Sequence, residues 1–165
     1  MKIRQSLIKF TFAILSIALL ACSNDNNHEV TLECIPTNVS MTVNGEVQTF
    51  QAIGRGIDIT ENGYILSINL DRRNFGSTNE QGVYLELPYK RTGKNLIKNF
   101  IYHQYINNVP FDGNFVTDGN FQSEVLINRE TCFSATFSGT LKIGAQEIVI
   151  TKGVLNYTYE TPFTN

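Results

Sequence analysis

Apolar and polar residues alternate along most of this chain, and this period of two restricts it to β-structure. Val39, Met41 and Val43 are separated by single polar residues, and Asn44-Gly45 follows them directly. Successive side chains of a strand point to opposite faces, so the pattern is typical of a strand with one buried face. Asn-Gly favours a tight turn because both residues tolerate a positive φ. We therefore predict a β-hairpin at this point.

The same alternation recurs between turn signals as far as residue 159, and no segment has a helical period. Asn62-Gly63 is a second hairpin signal. The further alternating runs cover 64–70, 83–87, 100–106, 121–128, 133–141, 147–151 and 155–159. Short strands at this spacing predict an all-β fold of about eight to ten strands. We expect a single-domain antiparallel β-sandwich, or a small barrel-like sandwich, over residues 34–162.

Three stretches of the predicted domain lack this alternation. Residues 71–81 are polar, residues 90–99 are irregular, and residues 107–120 are rich in Gly, Asn and Asp. Clusters of these residue types mark turns and loops. We predict long loops in the first and third stretches, and the least regular part of the domain in the second.

The first 21 residues have the layout of an export leader. Three basic residues and no acidic one precede an apolar run over 10–20. This run is shorter than the roughly 20 apolar residues of a membrane-spanning helix. Ala21 precedes Cys22, as a small residue does in the lipobox of bacterial lipoproteins. We predict a lipoprotein signal peptide over 1–21 and lipidation of Cys22; the alternative is an ordinary leader that happens to end near a cysteine.

A polar segment follows the predicted lipidation site. Residues 23–29 read Ser-Asn-Asp-Asn-Asn-His-Glu, a composition with too little apolar surface to fold. We predict a flexible tether over 22–33 that connects the domain to a membrane through the lipid on Cys22. The expected location is the cell envelope, in the outer membrane, with the domain facing the periplasm or the cell surface.

The charge of the mature chain argues against a nucleic-acid partner. The leader holds three of the 13 basic residues and none of the 15 acidic ones, so residues 22–165 have a formal charge of −5. Arg72-Arg73 and Lys90-Arg91 are short pairs beside predicted turns, without interleaved aromatic residues. A nucleic-acid surface requires a larger basic cluster, so we predict no such partner.

Cys34 and Cys132 remain after the lipidated cysteine. Export places them in an oxidising compartment, where paired thiols persist as disulfides. We predict a disulfide between them; the alternative is two unpaired buried cysteines that act as small apolar residues. A reactive thiol is disfavoured because the chain has no Cys-x-x-Cys and no histidine close to either residue.

Residues suited to catalysis or metal binding are few. His103 is the one histidine of the predicted domain, and its aromatic surroundings are typical of a packed side chain. Zinc requires three or four ligands of the Cys, His or carboxylate type. Asp112-Gly113-Asn114 and Asp118-Gly119-Asn120 resemble fragments of calcium loops but lack the remaining ligands. We predict no catalytic residue, no metal and no cofactor.

Tyr84, Tyr102 and Tyr105 are the candidates for ligand contact. Tyrosine rings stack on sugars if they lie together on one face; the alternative is packing between strands. We predict a non-catalytic binding or structural module with a glycan or protein ligand. The alternative function is an enzyme acting on polysaccharide with a pair of carboxylates, for which no sequence signature exists.

Several strand and turn motifs resemble those of a known family. They are Phe137-Ser138-Gly139-Thr140-Leu141, Ile148-Val149-Ile150-Thr151-Lys152-Gly153-Val154-Leu155, Tyr157-Thr158-Tyr159 and the early Val43-Asn44-Gly45-Glu46. Together they resemble a family of uncharacterised Bacteroidota cell-envelope lipoproteins, over most of residues 39–159. The resemblance implies an envelope location and an all-β domain. It implies no activity and no site residue.

Overall fold

The chain folds into β-strands, as the alternation predicts. The computed structural model describes residues 32–73, 80–106, 109–110 and 115–164. These ranges contain eleven strands and no helix. The strands are β1 (Asn38–Val43), β2 (Glu46–Thr60), β3 (Gly63–Arg73), β4 (Glu80–Pro88), β5 (Gly93–Lys94), β6 (Asn99–Ile106), β7 (Val109–Pro110), β8 (Phe115–Thr117), β9 (Gln122–Asn128), β10 (Cys132–Ile143) and β11 (Gln146–Thr158).

Eight of these strands form a closed antiparallel sheet. Its order is β1, β2, β3, β4, β6, β8, β10 and β11, and β11 pairs again with β1. β9 pairs with β10 and carries β5 on its other edge, while β7 pairs with β6. The all-β antiparallel prediction is confirmed. Of the two predicted architectures, the structure has the barrel-like one.

The interior of the sheet is an apolar core. Inward-facing side chains from β3, β4 and β6 are at most 1% exposed, and they alternate with outward-facing ones. They are Leu66, Ile68, Leu70, Val83, Leu85, Leu87, Phe100 and Tyr102. Each fully buried side chain of this size contributes roughly 1.5–3 kcal/mol through apolar burial. The alternation that predicted the strands therefore also accounts for the core.

Both predicted hairpins are present. Val43 pairs with Glu46 across Asn44-Gly45, whose φ values are 49° and 90°. The second turn lies one residue earlier than the Asn-Gly signal indicates, because Thr60 pairs with Gly63. Gly63 has a φ of 111°, so glycine is still needed there for its conformation.

The predicted loop over 107–120 is partly wrong. It contains β7 and β8, and β8 joins β6 to β10 through the pairs Ile101–Val116 and Leu141–Thr117. β8 has three residues, too few for the alternation of apolar and polar residues to be recognised. The Gly, Asn and Asp residues around it instead indicate a loop. The predicted loop over 71–81 is also shorter than expected, since β3 continues to Arg73 and β4 begins at Glu80.

The predicted disulfide is present. Cys34 and Cys132 are joined with a Cα–Cα distance of 5.8 Å, which ties the segment before β1 to the start of β10. A hydrogen bond from Thr158 Oγ1 to the Ile35 carbonyl oxygen (2.8 Å) holds the same segment beside β11. The disulfide and this hydrogen bond therefore hold the segment before β1 against β10 and β11.

The predicted signal peptide, Cys22 and the tether up to residue 31 lie outside the described residues. Of the residues that are described, none belongs to a helix with the length and apolar character needed to cross a membrane.

Candidate functional site

The three candidate tyrosines lie on two different sides of the sheet. Tyr102 is fully buried, and its hydroxyl donates a hydrogen bond to Gln48 Oε1 at 3.1 Å. Tyr84 is half-buried on the outer side, and Tyr105 is 37% exposed there. Tyr102 therefore packs between strands in the core, which is the alternative to ligand contact. Tyr84 and Tyr105 share the outer face.

Tyr84 belongs to a hydrogen-bonded group on this outer face. Its hydroxyl donates to Glu86 Oε1, and Asn99 Nδ2 donates to Glu86 Oε2 at 3.3 Å. The hydrogen bond to Glu86, followed by burial, raises the pKa of Tyr84 to about 12. The phenol therefore keeps its proton at neutral pH, and the carboxylate is held in a fixed orientation.

His103 lies between the two outer tyrosines and covers a glycine. It pairs with Gly82, and a Cβ atom placed on Gly82 would lie 2.1 Å from His103 Nε2. The His103 ring also meets the Tyr105 ring edge-on, with 6.1 Å between centroids. Burial lowers the pKa of His103, although the carboxylates of Asp71 and Glu80 act in the opposite direction. A larger residue at position 82 would displace the imidazole ring.

Tyr84 on β4 and His103 and Tyr105 on β6 lie on the same outer face, and we name this set the outer aromatic row. Gly82 pairs with His103, so Tyr84 and His103 are diagonal neighbours, about 7–8 Å apart at Cα. Of these three rings, Tyr84 contacts the carboxylate of Glu86. Tyr84 and Tyr105 are two of the three tyrosines that the sequence offers as candidates for ligand contact. His103 shares their face because side chains two residues apart in a strand point to the same side.

A polar groove of about 450 Å³ lies elsewhere, on β5, β9, β10 and β11. Its charged lining residues are Lys94, Glu124 and Lys152. A second groove, of about 470 Å³, lies between β2 and β11 and has Glu160 as its one carboxylate. Each groove therefore offers hydrogen-bonding groups but a single carboxylate among its lining residues.

The calcium-loop fragment at Asp118 acts as a turn. Asp118 Oδ1 accepts a hydrogen bond from the Asn120 backbone N–H at 2.9 Å, and Oδ2 lies 3.2 Å from Lys142 Nζ. The hydrogen bond from Asn120, together with Lys142, lowers the pKa of Asp118. Asp112 lies outside the described residues. Within the described ranges, no three His, Cys, Asp or Glu side chains lie close enough together to hold a metal ion.

These features define an all-β domain with a closed eight-stranded sheet and an aromatic row on its outer face. No protein-family model, curated protein or solved structure matches the chain. The resemblance to Bacteroidota lipoproteins therefore stays a prediction from the motifs.

Proposed function

We propose that this protein is a lipid-anchored component of the cell envelope whose domain binds an extended glycan, without catalysis. The outer aromatic row is the observation that carries the glycan part. Aromatic rings stack on the apolar faces of sugar rings, and neighbouring carboxylate and amide groups bind their hydroxyls. Glu86 and Asn99 supply such groups within hydrogen-bonding distance of each other.

The anchored location is supported by the leader and by the disulfide. A basic segment, a short apolar run and a small residue before Cys22 together have the order of a lipoprotein signal. A disulfide between Cys34 and Cys132 suits an exported protein, because cytosolic thiols are kept reduced. Several acyl chains on one cysteine bury enough methylene groups to hold a protein on a membrane.

A polysaccharide-acting enzyme has less support. Glycosidases of the common type place two carboxyl groups about 5–10 Å apart on either side of the scissile bond. Each groove described above has one carboxylate among its lining residues, and the carboxylates near the outer aromatic row, which include Glu86, Asp71 and Glu80, line neither groove. Glu86 is hydrogen-bonded by Tyr84 and Asn99, an arrangement that orients a carboxylate for binding.

Replacing Tyr84 and Tyr105 together with alanine is expected to weaken glycan binding by about tenfold or more. The expectation follows from the loss of two stacking rings, each worth about 0.5–1.5 kcal/mol. The measurement is binding of the mature protein to a panel of immobilised neutral and acidic polysaccharides, followed by titration of the best ligand.

Tyr64→Ala is the matched control, because Tyr64 is 56% exposed on β3 and lies outside the row. It should leave glycan binding unchanged. Equal loss in the control and in the double variant would contradict the proposed face. Absence of binding to the entire panel would contradict the proposed ligand.

A further inference from the structure

A gap opens in the sheet at the end where β1 begins. At its first residues, β1 pairs through Val39 with Phe50 on β2 and through Asn38 with Asn156 on β11. Both neighbouring strands extend beyond this end of β1, so no described strand lies between them there. The groove of about 470 Å³ occupies this gap. Its lining includes Thr37, Thr49, Gln51, Ala52, Tyr157 and Glu160.

Arg55 projects toward the interior beside this gap. A bulge between Ala52 and Gly54 shifts the alternation of β2, so that Arg55 pairs with the fully buried Ile68. Directly paired residues share one face of a sheet, and this face is the interior one. A strictly regular strand would instead have placed Arg55 outside.

The Arg55 guanidinium lies among aromatic rings. Its Cζ atom is 4.4 Å from the ring centroid of Tyr159, 4.7 Å from that of Phe163 and 6.0 Å from that of Tyr157. Tyr157 also lines the groove, so its ring lies between the groove and the Arg55 guanidinium. Such rings attract a cation and leave its N–H edges available for an acceptor.

Three polar groups of this cluster lack a hydrogen-bond partner within the described part of the chain. They are Arg55 Nε and the hydroxyls of Tyr89 and Tyr159, and the two tyrosines are 8% and 5% exposed. The Phe163 ring contacts both tyrosine rings, with centroid distances of 5.7 and 5.2 Å. Burial raises the pKa of both tyrosines, so each hydroxyl remains a donor at neutral pH.

Among the described residues, no carboxylate pairs with the positive charge of Arg55. It forms no salt bridge with any described residue, and its hydrogen bond goes to the carbonyl oxygen of Thr161. Thr161 belongs to the exposed segment 160–162, which follows the last strand. The guanidinium therefore has a neutral acceptor where a carboxylate would bind more strongly.

We propose that Arg55, Tyr89 and Tyr159 form a binding site for the carboxylate of a small ligand whose apolar part lies in the groove beside Tyr157. A carboxylate has two oxygens that accept several hydrogen bonds, so it can accept from donors of this cluster and neutralise the guanidinium. The Thr161 carbonyl occupies part of this site in the free protein. This site is separate from the outer aromatic row and does not depend on the glycan proposal.

The test titrates the full mature protein with 3-phenylpropionate while the Arg55 Nε–H resonance is followed by NMR. We expect a saturable shift at concentrations up to about 10 mM, and binding of 3-phenylpropanol at least about tenfold weaker. The Arg55→Gln variant should lose binding. The Arg91→Gln variant, which changes an exposed arginine outside the cluster, should retain it.

Two milder variants keep the proposal testable if Arg55→Gln does not fold. Tyr159→Phe removes one unpartnered hydroxyl at constant ring size, and Arg55→Lys keeps the charge without the planar donor fork. Both should weaken binding of 3-phenylpropionate by about threefold or more. No shift of the Arg55 resonance, equal binding of the alcohol, or unchanged binding in both mild variants would overturn the proposal.

Discussion

The Phe100→Ala substitution is expected to lower the free energy of unfolding by about 3–5 kcal/mol relative to the native chain. Phe100 is 1% exposed, and its ring centroid lies 4.9 Å from that of Phe121 and 5.0 Å from that of Phe137. These three rings come from β6, from the segment before β9 and from β10. Because the surrounding structure relaxes only partly around a missing ring, a cavity would remain. Urea unfolding followed by circular dichroism measures the difference.

Val116→Ala is the control for this core substitution. Val116 lies on β8, next to β6, but it is 47% exposed. Its truncation should change the free energy of unfolding by less than about 0.5 kcal/mol. A loss below about 1 kcal/mol for Phe100→Ala would contradict the described core.

Replacing both Cys34 and Cys132 with alanine is expected to lower the free energy of unfolding by about 2–5 kcal/mol. The disulfide joins residues 98 positions apart and so removes a large part of the conformational entropy of the unfolded chain. It also fixes the segment before β1 beside the start of β10. Thermal and urea unfolding of the native chain and of the double variant give the difference.

Reduction provides the control for the disulfide. A thiol reductant should lower the midpoint of the native protein to about that of the double variant and leave the variant unchanged. Equal stability of native chain and variant under oxidising conditions would contradict a structural role for the disulfide.

The sequence predicted the strands whose alternation is undisturbed. In β6 the alternation places Phe100 and Tyr102 on one side and Ile101, His103 and Tyr105 on the other, and the structure has this arrangement. Hydrophobic alternation is a local property, so one sequence is enough to reveal it. Which of the two sides faces the core depends on the neighbouring strands, and a local pattern does not show this. The sequence therefore keeps Tyr102 among the candidates for ligand contact.

Features that depend on pairing between distant strands could not be predicted. Closure of the sheet depends on β8, which has three residues and lies among Gly, Asn and Asp. The inward position of Arg55 depends on the bulge near Gly54. A glycine within a strand is typical of a bulge, but it does not show on which face the alternation continues. The burial of the Tyr89 and Tyr159 hydroxyls, which have no hydrogen-bond partner among the described residues, depends on contacts between the residue after β4 and the end of the described chain.

The anchored location, on which the proposed function rests, is tested most directly by the intact mass of the native protein purified from membranes. We expect a chain that begins at Cys22, with the added mass of a diacylglyceryl group and further acyl modification, and a Cys22→Ala variant that does not become acylated. A native chain with the leader intact, or with an unmodified Cys22 thiol, would contradict the lipid anchor.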